Sequence, residues 1–159
     1  MGVGLTDEEL WRTLTSSHTG ILVTLRADGR PVPVPIWFVV LNRRIYVRAL
    51  EATAKVKRIQ RDPRASFMVE AGEQWSQLAA IVLQVEGRVV DGAAAEEAVA
   101  ALEGKYAAFR HRNDATPEAT RRYYAGRFVV LELRPVGAAA SWDNAKIRPT
   151  ADDSSGRSR

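Results

Sequence analysis

The sequence predicts a mainly β fold of the α+β class, a six-stranded antiparallel β-barrel with a few peripheral helices. Six short segments rich in β-branched and apolar residues are separated by turn signals, which is the pattern of strands. Asp28-Gly29 stands between the first two segments and is typical of a β-hairpin. Most connections are short, so consecutive strands are expected to run antiparallel. The predicted strands are residues 21–25, 32–40, 45–47, 65–69, 81–90 and 128–134.

Capping and breaking residues predict four helices around this barrel. Thr6, with Glu9 three residues later, forms a capping box in which each side chain satisfies a backbone N–H group at the helix start. Asp62-Pro63 ends the second helix, because proline disfavours helical geometry at the residue before it. The predicted helices are residues 7–15, 53–61 and 93–105, and a fourth that starts at Thr116-Pro117-Glu118.

The second predicted strand carries proline at every second position, namely Pro31, Pro33 and Pro35. Alternate N–H groups of a strand point to one edge, so this strand lacks three donors along the same edge. That edge cannot pair with a neighbouring strand and must face solvent, a partner chain or a ligand. Two explanations remain open at this point, an edge protected from aggregation or an edge that binds a ligand.

Length and composition indicate one domain, assigned to residues 1–147 of the 159-residue chain. Residues 148–159, rich in Asp, Ser, Gly and Arg, are expected to be a disordered tail. The chain has no cysteine, which excludes a disulfide framework, a thiolate metal site and a cysteine nucleophile. It has no apolar run of membrane-spanning length, and its acidic start is unlike a signal peptide. A cytoplasmic protein without a membrane partner is therefore expected.

The net charge is +4, and the positive residues are concentrated in one segment. Such a segment is a nucleic-acid surface, a site for a phosphate-bearing cofactor, or a solvated helix face. A nucleic-acid partner ranks last, because the segment lacks the interleaved aromatic residues of a base-stacking platform. The cations are Arg43, Arg44, Arg48, Lys55, Lys57, Arg58, Arg61 and Arg64.

Catalysis by the protein's own side chains finds little support. The chain lacks the G-x-S-x-G nucleophile turn, the P-loop and the G-x-G-x-x-G dinucleotide motif. His18 and His111 do not have metal-ligand spacing and are interpreted as surface histidines. No catalytic side chain and no metal site are predicted, so an enzyme built on this chain would need a cofactor to carry the reaction.

The run that opens the second helix resembles a motif of the pyridoxamine 5′-phosphate oxidase-like split-barrel superfamily. It reads Thr53-Ala54-Lys55-Val56-Lys57-Arg58-Ile59 and then Asp62-Pro63-Arg64-Ala65, similar to S/T-x-K-x-x-x-I/L and D/N-P-R-V. In that superfamily the lysine binds the cofactor phosphate, which implies the same role for Lys55, beside Thr53 and Ala54. Free N–H groups, a hydroxyl and an ammonium at a helix start can converge on an anion. The resemblance also implies that the barrel is a split barrel.

Two further segments resemble the branch of that superfamily that uses the deazaflavin coenzyme F420. The strand Val34-Pro35-Ile36-Trp37-Phe38 is similar to T/V-P-V-W-F, and Ser141-Trp142-Asp143-Asn144-Ala145-Lys146 is similar to an S-W-D-x-x-K ending. The resemblance implies that Val34, Pro35, Ile36 and Trp37 line the cofactor ring. It also implies a homodimer with the cofactor at the interface, where Trp75 and Trp142 either reach the partner's site or merely cover the barrel ends. Arg48 and Lys57 are further candidates for anion contacts.

The chain departs from the true pyridoxamine phosphate oxidases at two motifs. Their R-x-V-L-L-K strand is replaced here by residues 33–38, and their R-L-H-D run is absent. Pyridoxamine phosphate is therefore not an expected substrate. Arg48-Ala49 replaces the family's Tyr-Thr, so Arg48 either contacts phosphate or is a surface residue.

The resemblance implies an oxidoreductase in which reduced F420 transfers hydride to a small conjugated organic acceptor. Two alternatives remain, an FMN-binding reductase on the same fold and a non-catalytic carrier of flavin, F420 or haem. The absence of an acid–base residue is compatible with all three. The substrate is not predicted.

Overall fold

A computed structural model describes residues 3–109, 117–123 and 125–147. The predicted tail, His111 and Thr116 lie outside the described residues. No helix within the described ranges is long and apolar enough to cross a bilayer.

The described residues form one antiparallel sheet of eight strands rather than the six predicted. Seven strands follow one another in the order β2-β1-β5-β6-β7-β4-β3, and β8 pairs with β6 beside that path. The strands are β1 Gly20–Leu25, β2 Pro31–Ile36, β3 Val39–Leu41, β4 Arg44–Leu50, β5 Arg64–Ala71, β6 Ala79–Val90, β7 Phe128–Pro135 and β8 Ala140–Asp143.

The first additional strand arises because the predicted segment 32–40 is two strands, interrupted at Trp37 and Phe38. The N–H of Phe38 donates to the Tyr106 hydroxyl at 3.0 Å, and its carbonyl accepts from the same hydroxyl at 2.9 Å. Lys105 Nζ also donates to that carbonyl, at 3.0 Å. The backbone of Phe38 thus bonds to side chains instead of a neighbouring strand, a tertiary effect that local sequence does not reveal.

The second additional strand, β8, has little β-propensity, because Ala140, Asp143 and the Gly-Ala-Ala run before them are residue types depleted in strands. It forms because β6 is twelve residues long and pairs with β7 only over its second half. The first half offers a free edge, to which residues 140–143 pair from Ala79 to Val82. Docking on an existing strand, rather than intrinsic preference, creates β8.

The connection from β2 to β3 curls the sheet into a barrel. These two strands are the opposite ends of the seven-strand path, yet only Trp37 and Phe38 separate them in the chain. Three consecutive Cα–Cα steps span at most about 11 Å. The two ends of the sheet must therefore meet, and β2 keeps an unpaired edge, as its three prolines predict.

The described residues contain four α-helices, namely α1 Asp7–Ser16, α2 Ala54–Arg61, α3 Gly92–Tyr106 and α4 Glu118–Tyr123. The predicted capping box is confirmed, with both of its hydrogen bonds present between Thr6 and Glu9. Val56 and Ile59 of α2 pack into the main core inside the barrel. Helix α3 instead covers the outside of β3, β4 and β7 through a second apolar cluster that includes Leu102 and Tyr106.

The pairing of Glu9 with Lys146 gives a pH-dependent contribution to stability. Lys146 Nζ lies 2.6 Å from the Glu9 carboxylate, and the N–H of Thr6 donates to it at 2.8 Å. These hydrogen bonds, that from Lys146 first, lower the pKa of Glu9 from 4.5 to about 2. A carboxyl with a depressed pKa stabilises the fold above its unfolded-state pKa and loses that effect as the pH falls.

We therefore expect Glu9→Gln to lower the free energy of unfolding by a constant amount above pH 4.5 and by a shrinking amount between pH 4.5 and 2. Urea unfolding at a series of pH values measures this difference. Glu8→Gln removes a carboxylate from the same helical turn but leaves the Lys146 pair intact, and serves as the control. A Glu9→Gln deficit that persists unchanged at pH 2 would contradict the assignment.

We expect Tyr106→Phe to lower the free energy of unfolding by about 1–3 kcal/mol, since the buried N–H of Phe38 would lose its acceptor. Urea denaturation with an unchanged m-value measures the loss. Phe109→Leu, which removes an exposed ring from the same region but no backbone hydrogen bond, is the matched control. Equal stability of Tyr106→Phe and the wild type would show that this hydroxyl does not hold the β2–β3 junction.

Candidate functional site

The start of helix α2 is an open anion-binding geometry. Thr53 is the N-cap residue, but its hydroxyl donates to the Leu50 carbonyl at 2.7 Å and does not cap the helix. Within the described ranges, no side chain accepts a hydrogen bond from the N–H groups of the first turn. A cavity of about 310 Å³ opens beside them, lined by Leu50, Glu51, Ala52, Thr53, Gly126 and Arg127.

Lys55, in the first turn of α2, is a half-buried cation without a counter-ion. Among the hydrogen bonds and ion pairs of the described residues, none involves its ammonium group. Desolvation by burial lowers the pKa of Lys55. A partly desolvated cation gains stability from an anion that approaches it, so Lys55 fits a phosphate contact. Lys57, two residues on, is exposed to solvent.

Two other cations of the basic segment, Arg48 and Arg61, are engaged away from Lys55. Arg48 lies on the outer side of β4, where it pairs with Glu103 of α3 at 3.6 Å and stacks over the Phe128 ring at 4.3 Å. Arg61, at the far end of α2, donates to the Leu25 carbonyl. The structure therefore favours the surface alternative for Arg48. The basic segment does not act as one group, because Arg48 faces α3 whereas Arg61 reaches the end of β1.

The unpaired edge of β2 presents only part of the predicted ring-lining set. The side chains of Val34 and Ile36 point inward and pack with the main core. Pro35 and Trp37 are exposed on the outside. Contact of Val34 or Ile36 with a planar ligand would therefore be through the backbone, whereas Pro35 and Trp37 offer their side chains.

Trp37 belongs to an aromatic group that the sequence analysis did not identify. Its ring stacks on Tyr106 with centroids 4.4 Å apart and planes 1° from parallel. His18 lies edge-on to the same two rings and to Phe109, 4.4 Å from the Phe109 centroid. These residues come from separate segments, so only the tertiary fold assembles them. The exposed parts of Trp37, Phe109 and His18 form a surface next to the β2 edge, here called the apolar platform.

Trp75 and Trp142 are brought to one end of the barrel, where both remain exposed, at 67% and 39%. Trp142 lies on β8 opposite Ala80 of β6, and Trp75 opens a short 3₁₀ turn before β6. Asn144 joins them by donating to the Trp75 carbonyl at 2.7 Å.

The polar residues beside Trp142 in the S-W-D-x-x-K ending form hydrogen bonds within the protein. The Ser141 hydroxyl accepts from the Leu5 N–H at 3.0 Å, and Asp143 accepts from the Ala145 N–H at 2.9 Å. Lys146 binds Glu9. All three polar residues of the motif thus form contacts within the protein, whereas the Trp142 ring is partly exposed.

No group of three or more metal-binding side chains occurs within the described ranges. The arrangement that the structure does offer is an anion site at a helix start, together with an open strand edge carrying an aromatic platform. This combination suits a phosphate-bearing ligand with a planar ring more than it suits catalysis by side chains alone.

Three solved structures with the same fold illustrate what the chain is similar to. A conserved hypothetical protein, Rv2991, from Mycobacterium tuberculosis is 21% identical, with a TM-score of 0.75 over 94% of this chain and 92% of that chain. HutZ, the haem storage protein of Vibrio cholerae, is 16% identical, with a TM-score of 0.67 over 89% and 96%. An FAD-binding protein from Mesorhizobium loti is 17% identical, with a TM-score of 0.66 over 86% and 92%.

The model of the pyridoxamine 5′-phosphate oxidase family matches residues 6–141, from the cap of α1 to the first residues of β8. The match includes the proline-bearing strand, the start of α2 and strands β1 to β7. Because it spans most of the 159 residues, the chain belongs to the pyridoxamine 5′-phosphate oxidase family.

Proposed function

We propose that this protein is an oxidoreductase that binds coenzyme F420 and reduces a small conjugated organic acceptor. The observation that carries the proposal is Lys55, a half-buried ammonium that has no counter-ion among the described residues and lies at the uncapped start of α2. A phosphodiester or phosphate supplies the missing negative charge and accepts from the free N–H groups of the same turn. FMN is the alternative cofactor, since its phosphate suits the same site.

The residues of this chain would bind and orient the cofactor rather than react. Lys55 and the first turn of α2 would hold the phosphate, and Thr53 and Ala54 would lie beside it. Pro35 and Trp37 would contact the ring along the unpaired edge of β2. When bound, the reduced deazaflavin supplies the hydride, and the apolar platform around Trp37 excludes water from the ring.

F420 is favoured over FMN by the resemblance of residues 34–38 and 141–146 to the F420 branch and by the exposed Lys57 on α2. F420 carries glutamate groups beyond its phosphodiester, so its negative charge extends further than that of FMN. Lys57 is exposed near Lys55 and could contact the longer anion. Arg48 is not counted in its favour, because Glu103 and Phe128 already engage it.

Binding of haem without catalysis is the second candidate function, and His18 is the observation that favours it. His18 is exposed and lies against the rings of Trp37, Tyr106 and Phe109, so an imidazole and an apolar platform are close together. Imidazole is a common axial ligand of haem iron. HutZ, with the same fold, is a haem storage protein.

We also propose a homodimer with the cofactor at the interface, formed through the outer face of β1, β5 and β6. Ile21, Val23, Met68 and Val82 share this face and belong to neither buried apolar cluster. Helix α3 covers only the opposite part of the sheet. A second copy of the chain would cover these half-buried side chains and would bring Trp75 and Trp142 toward the partner's cofactor.

We expect F420 to bind more tightly than FMN, and hemin more weakly than either. Fluorescence and absorbance titrations of the three ligands under one buffer condition measure the three dissociation constants. Tight FMN binding with weak F420 binding would replace the deazaflavin with a flavin. A hemin complex that forms in preference, and that is lost in His18→Ala, would support the carrier function instead.

We expect Lys55→Ala to raise the dissociation constant of the cofactor about 10- to 150-fold, because a charge-assisted hydrogen bond is worth roughly 1.5–3 kcal/mol. The free energy of unfolding of the unliganded protein should not fall, since Lys55 has no counter-ion to lose. Lys57→Ala, an exposed lysine on the same helix, is the control and should weaken binding less. Equal affinities of Lys55→Ala and the wild type would remove the phosphate site.

We expect light scattering to give about twice the 17.6 kDa mass of the chain, and Met68→Glu to give a monomer. A carboxylate at Met68 would be buried without a partner if the proposed face were covered. Ala94→Glu, on the exposed side of α3, adds the same charge elsewhere and should remain dimeric. A wild-type monomer with full cofactor affinity would contradict the interface.

A further inference from the structure

Glu132 of β7 is the one charged side chain that is fully buried in the described part of the chain, with 2% of its surface exposed. Three donors converge on its carboxylate: Arg88 Nε at 2.8 Å, Tyr46 hydroxyl at 2.9 Å and Arg44 Nη1 at 3.0 Å. Burial alone raises the pKa of Glu132, but the hydrogen bonds from Arg88, Tyr46 and Arg44 outweigh it and leave the pKa below its ordinary value. The carboxylate is therefore charged.

The sheet register places these groups side by side on the outer face. Tyr46 of β4 and Arg88 of β6 are both directly opposite Glu132, one on each side. One row further along, Arg134 of β7 is opposite Glu86 of β6, and the two side chains form an ion pair. The five charged residues of this cluster, Arg44, Arg88, Arg134, Glu86 and Glu132, carry a net charge of +1.

The two arginines on Glu132 each use one nitrogen in that contact, although a guanidinium has five N–H donors. Their side chains are 42% and 66% exposed, so their remaining N–H groups are accessible. A cavity of about 360 Å³ lies between them, and the five charged residues line it. This volume is at the small end of the range for ligand pockets.

Stability alone does not account for this arrangement. Exposed ion pairs contribute little, and a buried carboxylate with its partners is often no more stable than apolar residues of the same size. The structural effect of Glu132 is to fix two guanidinium groups in place with donors turned toward solvent. Guanidinium groups held in a fixed position commonly bind phosphate and carboxylate groups through bidentate hydrogen bonds.

We propose that the cluster around Glu132 is a second anion site, which binds the phosphate or carboxylate group of a small metabolite through Arg44 and Arg88. It is separate from the start of α2. Arg44 opens β4 and Leu50 ends it, so the two sites lie at opposite ends of a strand about 20 Å long. The proposal does not depend on the cofactor.

Nitrogen-edited NMR of the full chain tests the site directly, with inorganic phosphate and succinate as separate probes at constant ionic strength. The signals followed are the Arg88 Nε–H and the Gly87 amide, so that anions bound at α2 do not contribute. We expect saturable shifts with at least one probe, and the tighter probe identifies the group that is recognised. Signals that do not move with either probe would overturn the proposal.

Substitutions of Arg88 test whether the arginines form a specific anion site or only a positively charged surface. Arg88→Gln should weaken anion binding at least 10-fold, as measured through the shift of the Gly87 amide. Arg88→Lys should give an intermediate loss of affinity, because the charge remains but the planar guanidinium donors are gone. Arg12→Gln, an exposed arginine on α1, should give the same Gly87 shifts as the wild type. Equal binding by Arg88→Gln and the wild type would contradict the site.

The direction in which Glu132→Gln changes phosphate affinity distinguishes positioned arginines from a simple positive surface. It makes the cluster more positive, so a simple electrostatic surface would bind phosphate more tightly. A site that depends on positioned arginines should instead bind more weakly, with the Arg44 and Arg88 side-chain signals broadened. Tighter binding by folded Glu132→Gln would overturn the role of Glu132, and the Arg88 variants test the site if Glu132→Gln does not fold.

Discussion

The two-residue connection between β2 and β3 is the constraint on which the rest of this structure depends. It joins the opposite ends of a seven-strand path and thereby forces the sheet to curl. The strands on either side of the connection do not pair along the proline edge, so the barrel keeps a split. Tyr106 and Lys105 hydrogen-bond to the backbone of Phe38 at that point, which satisfies its N–H and carbonyl groups within the split.

The short connection between β2 and β3 also shapes the proposed cofactor site. The split leaves the edge of β2 accessible, and the stacking of Trp37 on Tyr106 presents an aromatic surface beside it. Helix α2 is anchored inside the barrel by Val56 and Ile59, which holds Lys55 in a half-buried position. The fold thus tolerates a desolvated ammonium without a counter-ion, a state that the binding of a phosphate would relieve.

Several features of the fold could be predicted from residues that are adjacent in the sequence. The Thr6–Glu9 box, the Asp28-Gly29 hairpin and the open edge of β2 each follow from a few adjacent residues. The assignment of Lys55 to a phosphate site rests on a contiguous motif and stays a prediction. What local sequence could not predict depends on distant partners. β8 forms only because β6 is long, Arg48 is engaged by Glu103 of another element, and the Glu132 cluster is assembled by strand register.

The central claim is that Lys55 holds a cofactor phosphate, and comparing FMN with riboflavin tests it most directly. Riboflavin has the same ring but no phosphate, so the ratio of the two affinities isolates the phosphate contact. In the wild type we predict that FMN binds about 10- to 150-fold more tightly than riboflavin, and that Lys55→Ala abolishes most of that difference while leaving riboflavin affinity unchanged. If Lys55→Ala weakens FMN and riboflavin equally, or if the wild type does not distinguish them, Lys55 does not bind the phosphate.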